Sequence, residues 1–502
     1  MADLVHHFLE TSAEKAPSRT ALLYGENTAT YQEVDSLAGK VSSLLRSIGL
    51  SKGDRVLMIM ENSLESVASY YGILKAGCVC VEVPDKSTLS ESAYFIENSG
   101  ARMGILSKGS AKRLSDINIA FVLSPETSFS SETLKAFTWD DVHGMDKERD
   151  PVKISENDLA AIVYTSGSTG RPKGVMLSHK NLCTNTASIV SYLGLTQADR
   201  IMAVLPFYYV YGKTLLNTHF MVGGSVVINN RFAFPNSVIQ DMIDKEVTGF
   251  AGVPSTFAIL VNRSVFAKTQ IPSLRYITQA GGAMAPALTR RVLEHIGNAS
   301  LYIMYGATEA SARLTYLPPQ RLLYDKFGSI GIPIPGVEIA IRDNEGNKLL
   351  PFTVGNICAT GGNIMQGYWK DKDETDRVLK PWGLVTGDLG HADDDGFIYL
   401  TGRKKEMLKI GGERVSPKEI EDAIMDSQMV HEVAVIGRPD EFLSEVPEAF
   451  IVPLDDASFD LEALKSFVKQ ELSVHKQPKY WNILRSLPKK PSGKIDKGVL
   501  KQ

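Results

Sequence analysis

Short apolar runs alternate with helical periods from about Thr28 to Pro84. Leu64, Val67, Tyr71 and Leu74 recur on one helix face, and Asn62 and Ser63 stand before them as good N-caps, which predicts a helix from there. The apolar run at residues 78–83 then reads as a strand. Three later apolar runs, at 160–164, Tyr276–Gln279 and 301–305, each lead into a glycine-rich or polar loop. Strands and helices in alternation predict an α/β fold, a large N-terminal domain of layered sheets and helices. Ligands of open α/β sheets gather at the carboxyl ends of strands, so the three loops are candidates for lining one site.

The character changes near Gly402. Residues 401–412 are polar and bracketed by glycine. Ser416-Pro417-Lys418-Glu419 has serine, proline and glutamate where a capping box places them, so a helix is expected to start there. Residues 433–436 read as a strand and 461–472 as an amphipathic helix, enough for a separate small α+β domain. The expected division is 1–402 and 403–502. A chain of 502 residues suits two or three domains.

Composition narrows the class. A formal net charge of −4 argues against a general nucleic-acid or membrane binder, which needs a strong basic field. The basic tail at Lys489, Lys490, Lys494, Lys497 and Lys501 is the local exception. No basic segment precedes a long apolar core at the N-terminus, and no apolar run reaches the ~18 residues of a membrane span. A cytoplasmic protein is expected. The four cysteines, Cys78, Cys80, Cys183 and Cys358, lack metal-ligand spacing and read as reduced core residues. Cys78 and Cys80 would face the same side of their strand.

The most informative segment is 164–179, YTSGSTGRPKGVMLSH. It places Thr165, Ser166, Ser168 and Thr169 around Gly167 and Gly170, with Lys173 beside them. Glycines expose backbone N–H groups to an anion, and hydroxyls and a lysine add donors for phosphate oxygens. The spacing is not that of a Walker A loop. This ordered string resembles the signature of the adenylate-forming, AMP-binding superfamily, which includes acyl- and aryl-CoA synthetases, peptide-synthetase adenylation domains and beetle luciferases. The resemblance spans nearly the whole chain, because the other family motifs follow in order.

The resemblance implies roles. Tyr305-Gly306-Ala307-Thr308-Glu309 is similar to the family's Tyr-Gly-x-Thr-Glu, in which the threonine meets the α-phosphate and the glutamate holds Mg²⁺. Gln279-Ala280-Gly281-Gly282-Ala283 resembles the adenine-binding strand end. Asp388, in Thr386-Gly387-Asp388, matches an aspartate that accepts from both ribose hydroxyls, and Arg403 matches an arginine that reaches the nucleotide. Lys494, in Pro491-Ser492-Gly493-Lys494, matches the catalytic lysine of the adenylation step. A point cation where negative charge builds is the expected device there. Lys405 matches the hinge of the family's rotating small domain, and Gly411 and Gly412 the loop that approaches the pantetheine thiol.

Residues 205–212, LPFYYVYG, occupy the family's acyl-pocket segment. Tyr208, Tyr209 and Val210, with Val253 and Gly282, are the expected pocket walls, and Tyr211 is a further aromatic candidate. CoA synthetases often carry histidine where Tyr209 stands. Amino-acid-activating domains place an aspartate at the position of Val210, so an α-amino acid would bury its ammonium unpaired. The implied reaction joins a small carboxylic acid to a thiol through an acyl-adenylate, using ATP and Mg²⁺. The implied acceptor is CoA, with the phosphopantetheine arm of a holo carrier protein as the alternative. A catalytically silent nucleotide-binding protein is the reading from another class, and the presence of Thr308, Glu309, Asp388, Arg403 and Lys494 together opposes it.

Overall fold

The structure is a computed structural model that describes residues 3–125, 129–130, 133–146, 151–165, 171–410, 412–455, 457–490 and 493–501. Two large sheets form its body. In one, strands Leu159–Thr165, Val79–Glu82, Arg55–Ile59 and Met103–Leu106 run parallel side by side, and Lys173–Ser178 folds back antiparallel on Leu159–Thr165. In the other, Ser300–Tyr305, Tyr276–Gln279, Gly249–Gly252 and Arg200–Ala203 are parallel neighbours. The expected layered α/β fold is present.

Side-chain alternation explains the layering. Cys78 and Cys80 face a core shared with helices Tyr31–Ser47, Leu64–Lys75 and Val210–Val222, and Ala21 and Val226 of the second sheet enter the same core. Val79, Val81 and Val83 point the opposite way, into a separate cluster with Phe95 and Ala111. Strand residues thus alternate between two buried faces, which is why this run is apolar but for Glu82. Phe250 and Ile277 pack on the outer face of the second sheet with Phe257 and Leu288. The layers run helix, sheet, helix, sheet, helix. All four cysteines are buried thiols, and burial pushes Cys78 and Cys183 up to about 12.

Helix Leu64–Lys75 starts as predicted. Ser63 Oγ accepts from the Ser66 amide, and Ser66 closes a capping box back to Ser63. The capping box expected at Ser416 does not form. Helix Pro417–Asp426 begins at the predicted proline, but Ser416 Oγ donates to the Thr401 carbonyl at 2.6 Å and Glu419 pairs with Lys476. A tertiary acceptor and a lysine outcompete the local cap.

A small antiparallel sheet holds Gly383–Ala392 and Ile398–Arg403. After the turn at residues 404–406, Leu408–Ile410 belongs to a different sheet with Val430–Asp440 and Ser444–Pro453. Helices Pro417–Asp426 and Leu461–Glu471 cover that sheet around a core of its own. No described helix is long and apolar enough to cross a membrane.

Candidate active site

Strand Ser300–Tyr305 ends in a tight reversal. A Cβ on Gly306 would lie 1.9 Å from the Ala312 carbonyl oxygen, so the backbone approach requires glycine. Thr308 and Glu309 follow in the 3-10 turn Thr308–Ala310. Tyr368 Oη donates to Glu309 Oε1 at 2.7 Å. Burial and the Glu309 carboxylate push the Tyr368 phenol up, so it remains a donor. The other Glu309 oxygen has capacity for a hard cation, which favours carboxylate ligands.

Asp388 joins two segments. Tyr305 Oη donates to Asp388 Oδ2 at 2.7 Å, and Arg403 Nε lies 3.0 Å from Oδ1. Asp388 and Arg403 are direct cross-strand partners. Asp388 is buried, whereas the Arg403 side chain is 60% exposed. Each aspartate oxygen keeps a second lone-pair direction, the capacity a diol needs.

The C-terminal tail reaches this cluster. Ser255 Oγ donates to the Gly493 carbonyl at 3.1 Å. Lys494 follows, its Cε 3.8 Å from where Gly281 would carry a Cβ. The surrounding protein and the Arg403 charge push the Lys494 ammonium below its ordinary range, while Asp388 and Glu309 pull it back. Lys494 nonetheless keeps an exposed face, so solvent screens part of that shift.

The strand pair Leu159–Thr165 and Lys173–Ser178 sets Thr165 opposite Lys173, bringing the ends of the glycine-rich loop together. Ser166, Gly167, Ser168, Thr169 and Gly170 lie outside the described residues. Lys173 Nζ is 2.7 Å from Glu374 Oε1, and Arg377 takes the other oxygen at 2.6 Å. Lys173 holds the Glu374 carboxyl below the usual range.

Beside these elements Tyr208, Tyr209 and Val210 line a narrow cavity of about 20 Å³. That is room for about one water. Two charged residues share its wall, Lys213 and Glu82, with N–O 2.8 Å and both side chains only 8% exposed. Lys213 Nζ also stands 3.8 Å above the centre of the Tyr70 ring.

Comparison with known proteins decides the family. A family model described as AMP-binding enzyme matches residues 9–369, and one for the AMP-binding enzyme C-terminal domain matches 419–494. The chain belongs to the AMP-binding enzyme family. This AMP-binding enzyme is 29% identical to a long-chain-fatty-acid–CoA ligase of Bacillus subtilis, over 97% of this chain and 92% of that protein. It is 30% identical to the putative acyl-CoA synthetase YngI of the same organism, over 100% and 98%. Its fold matches ATP-bound MatB from Rhodopseudomonas palustris with a TM-score of 0.88, at 28% identity over 100% and 98% of the two chains. It matches the o-succinylbenzoate CoA synthetase of Bacillus subtilis, solved with its acyl-adenylate, with a TM-score of 0.85, at 26% identity over 99% and 98%.

In this AMP-binding enzyme the motif residues Tyr305, Glu309, Asp388, Arg403, Gly281 and Lys494 come together although they are far apart in the chain. The expected acyl walls divide. Tyr208, Tyr209 and Val210 share the cavity, but Val253 and Gly282 do not line it. Val253 packs on Gly281 and Gly493, and Gly282 faces Pro254. Tyr211 turns away, its hydroxyl hydrogen-bonded to the Thr278 carbonyl at 2.9 Å. Lys405 lies in the exposed turn between the two small sheets, and Gly412 has φ +92°. Gly411 lies outside the described residues.

Glu82 and Lys213 were not among the expected site residues. The signal was present: a glutamate interrupts the otherwise apolar run 78–83, and a lysine interrupts the largely uncharged segment 205–222. Period-2 alternation places Glu82 on the Cys80 face of its strand. What no local pattern states is that these two charges meet.

Proposed function

We propose that this enzyme activates a carboxylic acid with ATP, releases pyrophosphate, and transfers the acyl group from the acyl-adenylate to the thiol of CoA. The observation that supports this reading is the approach of Lys494 to Gly281, within the electrostatic reach of Asp388, Arg403 and Glu309. A carboxylate oxygen of the acid attacks the α-phosphorus, the bond to the bridging oxygen breaks, and pyrophosphate leaves with that electron pair. The residues contribute position and charge. Asp388 accepts from the ribose hydroxyls, Gly281, Gly282 and Ala283 flank the base, and Arg403 adds charge at the nucleotide. Thr308, Lys494 and the loop from Thr165 to Lys173 meet the phosphates, where fixed donors stabilise the charge that develops. Lys173 must then exchange Glu374 for a phosphate.

Glu309 is the residue that would hold Mg²⁺, and the ion would neutralise phosphate charge there. In the second step the residues beyond Lys405 turn against the N-terminal part, which keeps the Asp388–Arg403 strand pair, and Lys405 absorbs the backbone change. That rotation brings Gly411 and Gly412 to the pantetheine. The thiolate attacks the acyl carbon, and AMP leaves with the electrons of the anhydride bond.

Acid-dependent exchange of labelled pyrophosphate into ATP tests the first step, and thioester formation with CoA tests the second. Exchange without a CoA thioester, but with acylation of a holo carrier protein, would transfer the acceptor role to the carrier. No exchange across a broad panel of acids would sink the enzymatic reading.

A further inference from the structure

The Lys213–Glu82 pair sits in the wall of the cavity that Tyr208, Tyr209 and Val210 line. Two opposite charges in a buried site are costly to desolvate, and an apolar pair of similar volume would be no worse for stability. An apolar acyl chain would gain nothing from them, since a hydrocarbon pressed on an ammonium and a carboxylate offers no hydrogen bond in return. Resting on the adenylation reading above, we propose that Lys213 and Glu82 select a short carboxylic acid bearing a hydroxyl group, which bridges the two.

Three features lead to that class. The pair is neutral as a unit. A second carboxylate on the substrate would leave an excess negative charge beside Glu82, and an ammonium an excess positive charge beside Lys213, in a place that water screens poorly. A neutral group adds no charge. The pair also presents both hydrogen-bonding senses. The ammonium has three N–H donors, of which one carboxylate and the Tyr70 ring use two, and the Glu82 carboxylate accepts at several lone pairs. A hydroxyl accepts from Lys213 and donates to Glu82 at once; an ether or ketone only accepts.

The neighbouring polar groups are otherwise engaged. Asn217 donates to Tyr70 Oη, and Thr214 donates to the Tyr211 carbonyl. Finally, the cavity is small. About 20 Å³ admits a hydroxyl-sized group beside the pair and not a long chain, so the cavity itself favours a short acid.

The test is pyrophosphate exchange and CoA-thioester formation by the full-length enzyme with matched acids: butanoate and 4-hydroxybutanoate, hexanoate and 6-hydroxyhexanoate, benzoate and 4-hydroxybenzoate. Succinate, 4-aminobutanoate and hexadecanoate complete the panel. A hydrogen bond to a charged group predicts a roughly 10–100-fold higher kcat/KM for the hydroxylated member of at least one pair. In Lys213→Met/Glu82→Gln, which leaves neither charge buried alone, that ratio should fall to about one. Exchange with unsubstituted acids but no hydroxyl preference would overturn the inference and leave the adenylation reading intact. A preference for succinate, 4-aminobutanoate or hexadecanoate would also overturn it, as would a hydroxyl preference that survives the double substitution. Exchange with no acid at all would remove both. If the variant fails to fold, wild-type ratios near one in all three pairs would still overturn the inference.

Discussion

The Cε of Lys494 lies 3.8 Å from the place a Cβ would occupy on Gly281. These residues belong to different segments, one on the C-terminal tail and one at the end of strand Tyr276–Gln279. Their approach means that the tail closes on the end of strand Tyr276–Gln279 in this arrangement. Ser255, bonded to the Gly493 carbonyl, holds the loop that delivers the lysine.

Lys494→Ala should therefore act on the first step selectively. Removing a preorganised donor costs roughly 10²–10³ in rate. Pyrophosphate exchange should fall by that factor, while thioester formation from chemically supplied acyl-adenylate should fall far less. Equal losses in both would contradict a role confined to adenylation.

The alkaline side of the pH profile is a separate check. In the proposed role Lys494 must carry its proton to neutralise phosphate charge, and its surroundings push its pKa below the ordinary 10.5. The adenylation kcat/KM, which reports the free enzyme, should decline on the alkaline side before an ordinary lysine titrates. Lys494→Arg, charged throughout, should flatten that limb whatever its absolute rate.

Gly306→Ala should damage the fold before the chemistry. Its new Cβ would lie 1.9 Å from the Ala312 carbonyl oxygen, a backbone atom that cannot rotate away. Overpacking of this kind costs ~1–3 kcal/mol, visible in denaturant unfolding. The same turn carries Thr308 and Glu309, so ATP affinity should drop with stability.

Glu374→Gln should destabilise in a pH-dependent way. Lys173 lowers the Glu374 pKa in the folded protein from the ordinary 4.5. A depressed carboxyl contributes stability above its unfolded pKa and loses it as pH falls through the folded value. The stability gap between wild type and variant should be full at neutral pH and shrink once pH drops below about 4.5. A gap that persists unchanged under acid would mean that the carboxylate charge is not the cause.

The strand predictions succeeded where both faces of a strand are buried. Residues 160–164 lie within Leu159–Thr165, and the Tyr276–Gln279 run is a strand from end to end. Burial on both faces writes itself into local composition. The cap at Ser416 failed because a hydroxyl takes the best acceptor within reach, and the Thr401 carbonyl is a tertiary neighbour. The acyl walls divided for a similar reason: Val253 and Tyr208 share a family pocket by motif, but Val253 is drawn to Gly281 and Gly493.

The amino-acid sequence by itself determined the layered α/β class, the strands that lead into the candidate loops, and the motif residues from Tyr305 to Lys494. Each of these depends on local periodicity or on a contiguous string of residue types. Only the tertiary structure decided that Asp388 is shared by Tyr305 and Arg403, that Lys173 rests on Glu374, and that Glu82 meets Lys213 in a cavity wall. Those pairings join residues distant in the chain. Opposite charges attract at short range whatever their separation in sequence, so the backbone path that brings them together must be known first.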